Sequence, residues 1–250
     1  MILKFENLSI YYNKFSNKKN KGVPLLFLHG WGVDSSSFKF FYENLKNEKT
    51  CIVIDFPPFG KSSMPNKEMF LKDYAKIVLN LLEKLKISKV DIVAHSFGGR
   101  VAIELASRCE LVNKLLLTGS AGLKVFSLKR FLKIKKYKIL KTLAKLKLYS
   151  KSKLNLQGSL DYVSLKPCMR KTFINVVNYN QKDLLKRINV PTLLVWGTLD
   201  KETPFCFTKI FKKHIKDCEI VRFENCSHFA YLEKPQLFLK ILKSFFCNLN

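Results

Sequence analysis

Short apolar runs alternate with longer amphipathic stretches along most of this 250-residue chain. Residues 8–12 read as an early strand, followed by a polar turn over 13–21. Residues 25–29 form a short apolar run that stops at Gly30-Trp31-Gly32, and 35–45 have helical spacing. Residues 50–55 read as a buried strand, broken at Pro57-Pro58-Phe59-Gly60. Within 72–86 the apolar positions Ile77, Val78, Leu81, Leu82 and Leu85 recur at the period of one helix face. Further strands are predicted at 89–94, 114–118, 191–196 and 219–223, with helices over 97–107, 205–215 and 235–246. This rhythm marks βαβ units. The expected fold class is α/β, a mostly parallel central sheet with helices on both faces.

Residues 121–187 break the rhythm. Leu128, Phe131, Leu132, Tyr137, Leu140, Leu143 and Ala144 keep a helical period, and no strand stands out. The segment lies between two core strands, so it reads as a helical insertion over the carboxyl edge of the sheet, where open α/β sheets bind ligands. The expected organisation is a core of residues 1–120 and 188–250 with a cap of residues 121–187.

Charge adds a second feature to that segment. The chain has 45 Lys and Arg against 19 Asp and Glu, a net +26. Residues 111–160 contain no acidic residue, yet carry Lys114, Lys124, Lys129, Arg130, Lys133, Lys135, Lys136, Lys138, Lys141, Lys145, Lys147, Lys151 and Lys153. An acidic protein, an anionic membrane surface and a merely solvated lysine face all fit such a block. Over 128–149 a cap helix with its greasy side on a pocket is preferred to a helix seated on lipid. Nucleic acid is disfavoured as a partner, because few aromatics interleave the lysines (Phe126, Phe131, Tyr137, Tyr149) and no binding module is present.

Charges interrupt every hydrophobic run, which disfavours a transmembrane helix. Met1-Ile2-Leu3-Lys4-Phe5-Glu6 lacks the pattern of a signal peptide, so the expected location is cytoplasmic. Seven scattered cysteines (Cys51, Cys109, Cys168, Cys206, Cys218, Cys226, Cys247) form no C-x-x-C pair and read as free thiols. Four histidines without ligand spacing suggest no metal site, and no cofactor is expected.

The chemistry centres on Val93-Ala94-His95-Ser96-Phe97-Gly98-Gly99, directly after one strand and before one helix. Such a turn presents a serine above the sheet only when the residues two before and two after it are small. Gly98 meets the second condition; Ala94 stands where glycine is usual. A serine hydroxyl needs a base, and the base needs an acid to set its tautomer. Asp200 at the end of Trp196-Gly197-Thr198-Leu199-Asp200 and His228 in Asn225-Cys226-Ser227-His228-Phe229 follow Ser96 in the order Ser, Asp, His. The catalytic residues are therefore expected to be Ser96, Asp200 and His228. His29 belongs to the His-Gly turn, His95 is pinned inside the elbow, and His214 ends an amphipathic helix. Asp55 precedes the serine and reads as a strand-end turn residue. The backbone N–H groups of Phe97 and Trp31 are the expected donors to an oxyanion. Trp31 and Phe229 are candidate substrate-binding side chains, with Tyr231 a weaker one. Arg100 reads as an ion-pairing residue, and Cys226 as packing without activation.

These motifs resemble the α/β-hydrolase family of esterases and lipases. The resemblance rests on His29-Gly30-Trp31-Gly32, on Asp55-Phe56-Pro57-Pro58-Phe59-Gly60-Lys61-Ser62, on the Ser96 elbow, and on Trp196-Gly197-Thr198-Leu199-Asp200 and Ser227-His228. Pro58 departs from the family's usual D-x-P-G-x-G-x-S. Within the family, the HGWG loop and short cap are similar to carboxylesterases of pimeloyl-[acyl-carrier-protein] methyl ester. The resemblance implies the α/β-hydrolase fold, an acyl-enzyme on Ser96, a small-molecule or acyl-chain ester as substrate, and a basic cap suited to an acidic carrier protein. Thioester hydrolysis, acyl transfer and C–C bond hydrolysis use the same residues, and a non-catalytic binding protein of this fold is the contrasting class.

Overall fold

The computed structural model describes residues 1–17, 20, 22–124 and 165–247, with scattered positions between 137 and 150. The strands are β1 (Ile2–Phe5), β2 (Leu8–Phe15), β3 (Leu25–Leu28), β4 (Cys51–Ile54), β5 (Val90–His95), β6 (Val112–Thr118), β7 (Thr192–Gly197) and β8 (Cys218–Phe223). They make one sheet in the order β1-β2-β4-β3-β5-β6-β7-β8. From β4 to β8 every pairing is parallel, while β1 and β2 add an antiparallel edge.

The helices are α1 (Lys39–Leu45, after a 3-10 turn at Ser35–Phe38), α2 (Leu71–Lys84), α3 (Phe97–Arg108), α4 (Pro167–Asn178), α5 (Lys182–Leu185), α6 (Phe207–His214), α7 (Ala230–Glu233) and α8 (Pro235–Phe246). Side chains alternate across a strand, so a sheet covered on both faces must be apolar on both. All four side chains of β3 are buried. Leu26 and Leu28 join the core with α2 and α3, whereas Leu25 and Phe27 join Phe38, Phe41 and Phe238 on the opposite face.

Local chemistry explains the helix ends. In α2 the Asp73 carboxylate accepts the Phe70 N–H at 2.8 Å, satisfying an amide at the positive end of the helix. Helix α8 begins at Pro235, where a missing N–H costs nothing. It buries Phe238, Leu239, Leu242 and Phe246 on one side. Its last carbonyls accept from two ammonium groups, Lys114 Nζ to Phe245 O at 2.8 Å and Lys49 Nζ to Phe246 O at 2.9 Å. Lys49 also pairs with Asp91 at 2.7 Å with both side chains buried. Lys114 thus tethers the last helix and does not join the basic block as a solvated charge.

Two readings need correction. The strand expected at 8–12 continues to Phe15, and β1 precedes it as half of an N-terminal hairpin. Asn13 and Lys14 look like a turn, but they pair with Val53 and Ile52 on the antiparallel side of the sheet, where β2 alternates buried and half-buried positions and so accepts polar side chains. Between β6 and β7 the described residues include α4, α5 and scattered helical positions from 137 to 144. Of the amphipathic stretch 128–149 only scattered positions are described, with Ala144 buried and Ile139 and Leu146 exposed, and nearly all of the lysine block lies outside the described residues. Among the described residues no helix is long and apolar enough to cross a membrane.

The sheet order locates the site. From β3 the chain moves one way to β4, then crosses back to β5 on the other side. Neighbouring parallel strands whose connections leave in opposite directions open a crevice at their carboxyl ends. There the loop after β3 and the turn after β5 meet.

Candidate active site

Ser96 sits between β5 and α3 with φ 49° and ψ −107°, a conformation that non-glycine residues hold at a cost of about 1–3 kcal/mol. The surroundings enforce it. The Ser96 N–H donates to Thr118 O at 3.2 Å, and Ser96 O accepts the Ala121 N–H at 3.1 Å, so the elbow is stitched to the end of β6. A Cβ on residue 98 would lie 2.2 Å from the Leu28 carbonyl oxygen at the end of β3. Glycine is therefore required there, as the motif implies, while Ala94 is fully buried two residues before the serine.

Asp200 and His228 meet. The His228 Nδ1–H donates to Asp200 Oδ2 at 2.8 Å, and the carboxylate is inaccessible to solvent. The other carboxylate oxygen, Oδ1, accepts the backbone N–H groups of Glu202 and Thr203, each at 2.9 Å. The Thr203 hydroxyl lies 2.8 Å from Asp200 Oδ2 and 3.0 Å from Gly119 O. Burial works to raise the carboxyl's pKa, but the hydrogen bond and charge of His228 and the Thr203 donors outweigh it and hold Asp200 below the usual carboxylate range.

The three expected residues converge on one loop. Gly119, with φ 50°, is so close to His228 that a Cβ there would lie 3.1 Å from the ring Nδ1, and the same segment bonds both faces of the Ser96 backbone. Among the described residues no hydrogen bond joins Ser96 Oγ to the His228 ring; catalytic hydrogen bonds of this kind are often long until substrate is bound.

The loop after β3 completes the setting. His29 donates from Nδ1 to Gly30 O at 2.7 Å and accepts the Phe56 N–H at Nε2 at 2.8 Å, which fixes a neutral ring. Residue 30 approaches the elbow so closely that a Cβ on it would stand 3.5 Å from Ser96 Cβ. This brings Trp31 beside Phe97, with ring centroids 5.3 Å apart. The Phe97 N–H heads α3, where main-chain donors lack helical partners. The Trp31 ring also meets Phe59 and, from α4, Phe173. Phe229 lies against His95 and His228.

Other singled-out residues have structural work. Asp55 Oδ1 accepts the Ser35 N–H and Oδ2 the Lys61 N–H, pinning two loops at the strand end. Arg100 donates from Nη1 to the carbonyl of Tyr179 at 2.7 Å. All seven cysteines are free, and burial raises the Cys226 thiol, which disfavours a reactive thiolate. Among the described residues no group of three or more His, Cys, Asp or Glu is placed to hold a metal ion. Thr203 and Gly119 were not identifiable from motifs, although Asp-x-x-Thr is a sequence in which main-chain and hydroxyl donors return to the carboxylate.

The buried rings make a testable demand on pH. Burial lowers the pKa of His29, and burial with the nearby His228 lowers that of His95 to about 3. An unfolded histidine titrates near ~6.5. Both folded values are depressed, so their stability is fully present above the unfolded value and is lost as the medium is acidified. His95, held near 3, should contribute a slope approaching about 1.4 kcal/mol per pH unit below ~6.5, and His29 a slope of the same sign. Urea midpoints from pH 7.5 to 5 should show this decline, and His95→Gln should remove one ring's share. An unchanged slope in that variant contradicts the assignment.

A family model described as "alpha/beta hydrolase fold" matches residues 23–148, half of the chain, which includes Ser96. A pimeloyl-[acyl-carrier protein] methyl ester esterase of Legionella pneumophila (strain Corby) is 26% identical, over 92% of this chain and 97% of its own. The AB hydrolase superfamily protein YisY of Bacillus subtilis (strain 168) is 27% identical, over 90% of this chain and 91% of its own. Among solved structures, an alpha/beta hydrolase enzyme from a Medee basin deep-sea metagenome library superposes with a TM-score of 0.79 at 20% identity, covering 100% of this chain and 98% of its own. With the family model spanning half of its length, the chain belongs to the alpha/beta hydrolase fold family as a hydrolase.

Proposed function

We propose that this hydrolase cleaves carboxylic esters through an acyl-enzyme on Ser96. His228 takes the Ser96 proton as Oγ attacks the ester carbonyl. The tetrahedral oxyanion is held by the N–H groups of Phe97 and Trp31, with the positive end of α3 behind the first. Collapse breaks the C–O bond, and the alcohol leaves with the proton from His228. Water then attacks the acyl-enzyme by the same route, giving the free acid and restoring Ser96. Asp200 keeps the proton of the His228 ring on Nδ1 and offsets the charge that forms on it. The observation that carries this reading is the 2.8 Å Asp200–His228 pair placed beside a strained serine turn.

Substrate recognition falls to the aromatic side chains and the insertion. Trp31, packed by Phe59, Phe97 and Phe173, offers an apolar wall next to Ser96, and Phe229 offers another beside the base. Residues 121–187 act as a cap over the crevice, a role supported by the Phe173–Trp31 contact. The lysines between 124 and 153 suit an ester presented on an acidic carrier protein, the substrate class in the name of the Legionella relative.

Labelling tests the chemistry. A fluorophosphonate probe should modify Ser96 stoichiometrically, as mapped by peptide mass spectrometry; an unlabelled wild-type protein points to the non-catalytic alternative. Carrier recognition is read separately. A methyl ester on acyl carrier protein should show a higher kcat/KM than the free small ester, and the advantage should shrink at salt concentrations that screen surface charge. Equal values at every ionic strength would remove the carrier from the proposal.

A further inference from the structure

We infer that His95 is a positioning residue for the general base: its side chain ties the backbone of residue 228 to the residue next to the nucleophile, and so holds the His228 ring in its working orientation. The inference rests on the Ser96–His228–Asp200 reading above. His95 is buried at the end of β5, immediately before Ser96. Its Nε2–H donates to the His228 carbonyl at 3.1 Å, a bond between residues 133 apart in the chain. Only a protonated nitrogen can donate to a carbonyl, so this bond sets the tautomer of His95.

The packing reinforces the bond. The rings of His95 and His228 have centroids 4.7 Å apart, and Phe229 and Tyr231 press on His95 at 4.9 and 5.0 Å. The main chain of Gly119 closes another side of the His228 ring, and Asp200 holds its Nδ1. Thus Asp200 fixes one ring atom, while His95 fixes the backbone from which the ring swings. A carboxylate alone leaves His228 free to pivot about that hydrogen bond. With the carbonyl of 228 also anchored to the β5 terminus, the ring and Ser96 share one rigid support. The remaining His95 nitrogen, Nδ1, is buried without a hydrogen-bond partner and faces Gly30, where a Cβ would come within 2.7 Å. A side chain kept with one polar atom unsatisfied stands where an apolar residue of similar size avoids that cost. The bond to residue 228 accounts for its presence.

Two substitutions separate a donor from a filler. His95→Leu keeps volume and removes the N–H, whereas His95→Gln places an amide N–H at similar reach. We expect His95→Leu to lower kcat on the order of a hundredfold, the effect of misplacing a catalytic group by about 1 Å, with KM changed little. His95→Gln should recover most of that loss. The proton NMR signal of the His228 Nδ1–H, held by Asp200, should shift or broaden in His95→Leu and return towards wild type in His95→Gln. A folded His95→Leu with wild-type kcat and an unmoved Nδ1–H signal overturns the inference. If His95→Leu does not fold, His95→Asn replaces it, being polar but too short to reach the 228 carbonyl. The two readings fail differently. Esterase activity that survives Ser96→Ala removes the mechanism itself, whereas Ser96-dependent activity indifferent to residue 95 removes only the positioning role.

Discussion

Replacing Ser96 by alanine should abolish ester turnover, with kcat falling on the order of 10⁶-fold, and should leave the fold intact. Loss of the nucleophile cannot be made good by its neighbours. The phenol and thiol near the site are poor substitutes, since Tyr231 is buried in the aromatic core and burial raises both it and Cys226 above their ordinary pKa values. Residual rate above water then comes from the oxyanion donors and from binding, on the order of 10³–10⁴-fold. Stability should change little. Ser96 Oγ makes no hydrogen bond among the described residues, and alanine suffers the same backbone strain at φ 49°. The comparison of initial rates on a short p-nitrophenyl ester, together with thermal unfolding of both proteins, decides the matter. Wild-type rates in a folded alanine variant would exclude Ser96 as the nucleophile.

The parts of the molecule legible in the sequence are those encoded over short spans. Helix α8 was readable to the residue because Pro235 marks its start and Phe238, Leu239, Leu242 and Phe246 keep one face. The strands β3 to β7 were readable from the apolar runs that a sheet buried on both faces needs, whereas β8, at the edge, keeps apolar positions between the exposed Glu219 and Arg222. The serine turn was readable because its steric demand falls on residues within two positions of Ser96. The hairpin of β1 and β2 was not, since its polar residues lie at an edge where burial does not constrain them. Thr203, Gly119 and the role of His95 were hidden for another reason. Gly119 and His95, and Thr203 in its bond to Gly119, act through contacts between segments distant in the chain, and local periodicity carries no record of such pairs. His95 could be placed inside the elbow, but its partner could not be named. The cap depends on residues whose apolar positions give a helical period without saying what they face.

Asp200→Asn should cost about 10⁴-fold in kcat with KM nearly unchanged, although the substitution is isosteric. The hydrogen bonds around Asp200 determine which way the new amide turns. Oδ1 accepts two main-chain N–H groups, from Glu202 and Thr203, so the oxygen of asparagine must take that place. Its NH₂ group is then forced into the position of Oδ2, facing His228 Nδ1 and the Thr203 hydroxyl. Thr203 accommodates this readily, because its own proton can turn to Gly119 O at 3.0 Å while its oxygen accepts from the amide. His228 Nδ1 must also become an acceptor, which moves the ring proton to Nε2. A base already protonated on the side meant to receive the Ser96 proton cannot activate the nucleophile. The fold is thus satisfied by the very rearrangement that disables the chemistry. The check is steady-state kinetics together with ¹⁵N shifts of the His228 ring, which should report protonated Nε2 in the variant and protonated Nδ1 in the wild type. A kcat reduced by less than about tenfold, with the tautomer unchanged, would mean that Asp200 neither orients nor supports the base.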